Sequence, residues 1–200
     1  TSLLFMPDLF HFWLCGTRTA EATIASTSQM IDCHTGDWAH EILAELGLPT
    51  EPMMPTTRPG TILGTLYAKL AELTGLPADL QVVAPATHDT ASAVAAVPAN
   101  GDTNWCYLSS GTWSLLGAEI EAPCVTSAAQ AASFTNELGV ANKIRFLKNI
   151  AGLWLVQECR RDLARRGQEL DYSALMQLAG EAPAFRTLVD PAHAPFQSPG

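Results

Sequence analysis

Val82–Pro98, VVAPATHDTASAVAAVP, is the stretch on which the reading of this chain turns. It opens on Val82-Val83-Ala84, a short apolar run that suits a buried strand. His88-Asp89-Thr90 follow, then small residues from Ala91 to Val97, closed by Pro98. An Ala-rich run directly after Asp and Thr predicts a helix, with Asp89 or Thr90 as its N-cap. The order is therefore strand, polar turn, helix, with a carboxylate at the junction. In open α/β sheets ligands bind at such carboxyl ends of strands. A helix N-terminus also keeps a carboxylate ionised and attracts anions. Two readings of Asp89 stand at this point: a helix cap, or a reactive carboxylate.

The rest of the composition narrows the class. Two hundred residues, 48% of them hydrophobic, give room for one large or two small domains with a sizeable core. Twenty acidic residues against 11 basic ones, a net charge of -9, argue against a nucleic-acid partner. Five cysteines (15, 33, 106, 124 and 159), odd in number and without a CxxC pair, fit reduced cytoplasmic thiols better than disulfides or a zinc site. No apolar run reaches the ~18 residues of a membrane span, and no signal-peptide pattern is present. The apolar pattern is already established by Leu3-Leu4-Phe5, so the chain is expected to be a piece of a longer polypeptide.

Outward from the central stretch, Leu3–Cys15 has helical apolar spacing, with Pro7 early and Gly16 as a stop. Glu21–Asp32 is polar and small, and Cys33–Asp37 reads as a turn. Trp38–Leu46 predicts an amphipathic helix ended by Gly47 and Pro49. Pro52–Pro59 is loop-like, Thr61–Leu63 a short strand and Thr65–Thr74 a helix. Pro98–Thr103 is a turn cluster and the expected domain boundary. Beyond it Trp105–Ser109 and Trp113–Ile120 form a hairpin signal around Ser110-Gly111-Thr112. Gly111 permits positive φ there, and N–H groups with Ser and Thr hydroxyls suit a phosphate; an ordinary polar turn is the simpler alternative. Ile144–Leu147 leads into a long helix, Gly152–Arg166, whose Arg160, Arg161, Arg165 and Arg166 complement the dipole at its end rather than form a binding patch. Tyr172–Ala179 predicts a helix, Phe185–Val189 a strand, and 194–200 a loop.

Two chemistries fit the His88-Asp89 pair poorly. A metal-dependent phosphohydrolase needs further ligands, and His11, His34, His40 and His193 lack ligand spacing. A Ser110 or Ser114 triad with His88 and Asp89 lacks GxSxG, and a His adjacent to its Asp is badly placed. A third reading covers more residues. HDTASAVAAVP, YLSSGTWSLLG, FTNE-LGV and IRFLKNIAGLWLVQECRR, with FMPDLFHFWLCG, TIASTSQMID and PGTILGTL before them, resemble the FGGY family of sugar kinases, and within it the branch acting on L-rhamnulose.

The resemblance implies an α/β, actin-like (ribonuclease H-like) ATPase fold, here partial. Residues 1–98 would be the C-terminal part of a sugar-binding domain and 99–200 the N-terminal part of a nucleotide-binding domain. It implies ATP with Mg²⁺ as phosphate donor, L-rhamnulose as acceptor, no membrane partner, and the rest of a parent polypeptide. Asp89 would be the base that takes the sugar hydroxyl proton, with His88, Thr90 and Asn149 on the sugar. Thr112 and Gln157 would contact the nucleotide, and no residue is implied as a metal ligand. If both were helical, Asn149 and Gln157 would lie about 12 Å apart, one element reaching both substrates. Phosphoryl transfer needs positioning, charge neutralisation and an acceptor for the hydroxyl proton, which these residue types supply. The chain departs from the family pattern at Thr87, where Gly usually precedes His-Asp, and at Leu138, where Gly is common. The family's N-terminal phosphate loop and late glycine-rich adenosine site are not in the sequence, so this piece alone is expected to be inactive. Another ketose as substrate, or a non-catalytic actin-like binding module, remain alternatives at this stage.

Overall fold

Helix α1 (Met6–Cys15) meets the first expectation: Pro7 sits in its first turn, and Gly16 closes it at φ 82, a left-handed geometry that favours glycine. The computed structural model describes residues 1–99, 105–191, 193 and 196. After α1, strand β1 (Ala20–Glu21) runs into α2 (Ala22–Ala25) and a 3-10 turn, Ser26–Ser28. β2 (Ile31–Asp32) and β3 (Asp37–Trp38) pair antiparallel across the predicted turn. Helix α3 (His40–Glu45) is shorter than the expected Trp38–Leu46. Trp38 is drawn into β3 instead, buried, stacked on Phe5, with its indole N–H donating to Met54 O at 2.8 Å. β4 (Thr56–Thr57) pairs parallel with β1.

β5 (Ile62–Thr65), α4 (Ala68–Thr74) and β6 (Gln81–Val83) form the next layer, β5 antiparallel to β6. α4 starts three residues later than expected because Thr65 belongs to β5 and Leu66 N donates to Leu80 O. Along and beyond β6, Val82, Ala84 and Ala86 are buried while Gln81, Val83 and Pro85 are not, the period of two of an extended chain with one covered face. α5 (Asp89–Ala95) follows. His88, not Asp89 or Thr90, occupies the N-cap position, and its side chain makes no capping bond. The expected boundary at Pro98–Thr103 lies largely outside the described residues.

β7 (Tyr107–Ser110) and β8 (Trp113–Ile120) form the expected hairpin, α6 (Ser127–Ala131) is capped by Thr126, and β9 (Thr135–Leu138) precedes β10 (Ile144–Ala151). Asn149 therefore lies on a strand, not on a helix with Gln157, and the helical spacing between them does not apply. Only then does α7 (Trp154–Arg165) begin, followed by α8 (Tyr172–Glu181), whose N-cap Asp171 accepts from Ala174 N. Phe185–Val189 forms no strand: Phe185 sits at φ 56 in a turn, and the segment stands exposed with no strand paired to it among the described residues. The expected loop 194–200 lies, apart from Phe196, outside the described residues.

The chain divides into two compact units, Thr1–Cys106 with Gly117–Leu147, and Tyr107–Leu116 with Lys148–Gly200. In the first, β9 and β10 pair antiparallel with Arg145 opposite Glu137 and Ile144 opposite Leu138. Its core is built from small and branched residues around one tryptophan: Ala20, Ala25, Trp38 and Leu43 in one cluster, Ala22, Leu138 and Ile144 in a second, Leu66, Ala71 and Val82 in a third. Leu138, at 2% exposure, is thus a core residue in its own right. In the second unit, three of the four arginines at the end of α7 are locally engaged. Arg161 pairs with Glu158 and Arg166 with Asp162, while Arg160 stacks on Tyr172 and donates to Leu170 O.

Candidate active site

The first unit builds its site around a buried carboxylate. Glu21, at the end of β1, is fully buried, and its oxygens accept five hydrogen bonds. Thr23 N and Ile24 N donate at 3.0 and 3.3 Å and the Thr23 hydroxyl at 2.5 Å. Thr87 donates twice, from its backbone N–H at 3.0 Å and its hydroxyl at 2.6 Å. A buried carboxylate is costly without donors; with this set it becomes a rigid anchor. The Thr23 hydroxyl oxygen also accepts from His88 N at 3.2 Å. The turn that carries His88-Asp89 is therefore tied, 65 residues back along the chain, to the start of α2. Thr87, in place of the usual glycine, does not crowd this turn: its hydroxyl has an acceptor waiting.

Asp89 is the first residue of α5, and its side chain is 96% exposed. Its Oδ1 accepts from Thr90 N at 2.6 Å and from the Thr90 hydroxyl at 3.3 Å. These bonds go to the next residue, whereas a cap serves the second or third N–H of the helix. The cap reading is thus set aside, and Oδ2 has no hydrogen-bond donor among the described residues. Thr90 is buried with its hydroxyl turned to Asp89. His88 lies beside it, Nε2 3.6 Å from Asp89 Oδ1, with the ring backed by Glu137 and Arg145 from β9 and β10. An exposed carboxylate with an open oxygen, on a turn tied to Glu21 and Thr23, is suited to accept a proton from a ligand hydroxyl.

The second unit carries Thr112, Asn149 and Gln157. Gly111 is not in the positive-φ region; its role is close approach. Gly111 O and Thr112 O accept the N–H groups of Gly152, Leu153 and Trp154 at 2.9–3.2 Å, which docks the start of α7 on the hairpin tip. A Cβ on Gly152 would stand 2.6 Å from Gly111 O and 3.0 Å from Ser114 N, so only glycine fits. Those backbone donors are spent on the hairpin, and the Thr112 hydroxyl stands exposed at its tip with no hydrogen bond among the described residues. Asn149 is exposed on β10, and Gln157 is half-buried near the start of α7. Among the described residues no three His, Cys, Asp or Glu side chains gather into a metal site, and no helix is long and apolar enough to cross a membrane.

The residues that brace the site were not singled out in the sequence. Glu137 and Arg145 lay within FTNE and IRFLKNI, but only their opposition across β9 and β10 joins them. Glu21 stands in a segment that reads as merely polar; the cue is an acidic residue two before Thr23 at a helix start, where its carboxylate caps the turn.

Comparison with known proteins places these features in a family. The N-terminal domain profile of the FGGY family of carbohydrate kinases matches residues 1–96, and its C-terminal domain profile residues 106–200. A rhamnulokinase of Bacteroides thetaiotaomicron is 44% identical over 98% of this chain and 39% of its own length. One from Enterococcus faecalis is 41% identical over 100% and 40%. The chain thus spans about two fifths of the curated relatives it matches. Among solved structures, a ligand-bound xylulose kinase from Lactobacillus acidophilus aligns at TM-score 0.71 and 18% identity, over 90% of this chain and 36% of that one. Xylulose kinase from Rhodospirillum rubrum aligns at 0.66 and 23%, over 89% and 36%. The α/β fold is that of these sugar kinases, the actin-like ATPase fold.

Proposed function

The chain belongs to the FGGY family of carbohydrate kinases, and from that premise we propose that its parent enzyme transfers the γ-phosphoryl group of ATP to L-rhamnulose, giving L-rhamnulose 1-phosphate. Residues 1–98 belong, on this reading, to the sugar-binding domain and 99–200 to the start of the nucleotide-binding domain. The observation that carries the reading is Asp89: an exposed carboxylate with a free oxygen, on a turn fixed by Glu21 and Thr23. Asp89 takes the proton from the sugar hydroxyl as that oxygen attacks phosphorus. General-base catalysis of this kind is worth ~10²–10⁴ in rate. His88, Thr90 and Asn149 are assigned to the sugar side, Thr90 acting through its hydrogen bond to Asp89.

Thr112 and Gln157 are assigned to the nucleotide. The Thr112 hydroxyl on a hairpin tip fits a phosphate oxygen, and Gly152 lets the start of α7, the helix that carries Gln157, dock on that tip. ATP would supply the phosphoryl group, with Mg²⁺ on its phosphates to neutralise their charge. The free cysteines suit the reducing cytoplasm. The support for the ketose is the similarity to rhamnulokinases. A coupled ADP-release assay of the full-length enzyme across a panel of ketoses tests it. L-rhamnulose is expected to give the highest kcat/KM; a higher value for another ketose reassigns the substrate, and no turnover with any sugar refutes the kinase reading.

A further inference from the structure

Behind the His88-Asp89 pair lie two charged side chains that the proposed reaction does not use. Arg145 on β10 is fully buried, and Glu137 stands opposite it on β9. The guanidinium Nη2 is 2.9 Å from His88 Nδ1 and 2.9 Å from Glu137 Oε2, and Nε donates to Leu138 O at 3.2 Å. A guanidinium has only donors. The hydrogen bond to His88 therefore requires a lone pair on Nδ1, and the single ring proton of His88 must sit on Nε2. A proton on Nδ1 would point at Arg145 across 2.9 Å; its other partner there, Glu137 Oε2, is 3.5 Å away. Nε2, on the far side of the ring, is the atom 3.6 Å from Asp89 Oδ1. The second atom of a histidine ring is commonly set by the bond the first one makes.

We propose that Arg145 is a positioning residue that holds His88 in the neutral Nε2–H tautomer, so that the imidazole presents a donor beside the Asp89 carboxylate. The Glu137 carboxylate balances the buried guanidinium, and the Leu138 carbonyl fixes its plane. A buried arginine without such partners would leave an uncompensated charge in the core. This rests on the assignment of Asp89 as the base, and gives His88 its part in it: Nε2–H is a donor to the carboxylate or to the sugar oxygen about to be deprotonated, and Nδ1 takes no share in the proton transfer.

The test is long-range ¹H–¹⁵N spectroscopy of histidine-labelled full-length enzyme at neutral pH, with the His88 signals assigned by their loss in His88→Gln. The wild type is expected to show a bare Nδ1 and a protonated Nε2. Arg145→Lys, whose ammonium also can only donate, is expected to keep that pattern and part of the rate. The charge-balanced double variant Glu137→Gln with Arg145→Met is expected to lose the single tautomer and about 10²-fold in kcat, the scale of a misplaced catalytic contact, with KM for ATP unchanged. An Nδ1–H ring or an imidazolium in the wild type overturns the proposal. So does a double variant that keeps the Nε2–H pattern, whatever its rate. If the double variant does not fold, the wild-type and Arg145→Lys spectra still decide. Failure of the Asp89 assignment is read separately, because the tautomer is seen in the spectrum of Asp89→Asn as well, independent of turnover.

Discussion

Asp8→Asn probes the support beneath the site. Asp8 lies in α1 with its side chain fully buried, Oδ1 accepting from Glu21 N at 3.1 Å and Oδ2 unpartnered. His11 Nδ1 is 3.7 Å from Oδ1, and neither it nor Asp8 Oδ2 has a hydrogen bond among the described residues. Burial raises the carboxyl pKa from 3.8 to about 6; the Glu21 charge adds to this, and the Glu21 N–H opposes it. A carboxyl raised in the folded state holds its proton more tightly there than in the unfolded chain. Its contribution to stability is therefore full below about pH 4 and is lost as pH rises through about 6. A rise of about two units at 1.36 kcal/mol each gives about 3 kcal/mol as the upper scale of that loss. Asparagine keeps the shape and the acceptor for Glu21 N, and does not ionise. The variant should thus be more stable than wild type at pH 8, by up to about 3 kcal/mol, with the gap closing towards pH 4. Urea unfolding of the two proteins in steps from pH 4 to 8 measures it. An Asp8→Asn variant that is the less stable protein at pH 8 would show instead that the ionised carboxylate is a net stabilising partner.

Two further outcomes follow from the second unit. Asn149→Ala should raise KM for the sugar and Gln157→Ala KM for ATP, each by the ~0.5–1.5 kcal/mol of a neutral hydrogen bond; equal effects on both substrates in both variants would contradict the split. Gly152→Ala places a methyl against Gly111 O and Ser114 and should cost ~1–3 kcal/mol of stability by overpacking, with KM for ATP raised more than KM for the sugar; an unchanged melting temperature would show that α7 does not depend on this close approach.

Much of the frame was legible because it is local. Pro7 and Gly16 bound α1, SSGTW made its hairpin, and small residues after His88 made α5. The errors came where pairing partners decide. Trp38 left its helical pattern because a strand partner and Met54 O were available, and the run through Asn149 became a strand because β9 lies alongside part of it. The local cap rule put the N-cap at Asp89 or Thr90, but His88 takes that position, its backbone held by Thr23 from a distant segment. The bracing of the site was least legible for the same reason: Glu21 and Thr87 are 66 positions apart, and Arg145 and His88 are 57.

The most direct test of the account is the turnover of Asp89→Asn in the full-length enzyme with L-rhamnulose and ATP. Asparagine keeps the size and the Oδ1 acceptor for Thr90, so the turn persists, and only the proton acceptor is removed. The kcat is expected to fall ~10²–10⁴-fold while sugar affinity, measured by equilibrium binding, changes far less. A kcat within a few-fold of wild type would contradict it, and would leave Asp89 as an exposed helix residue with no part in the chemistry.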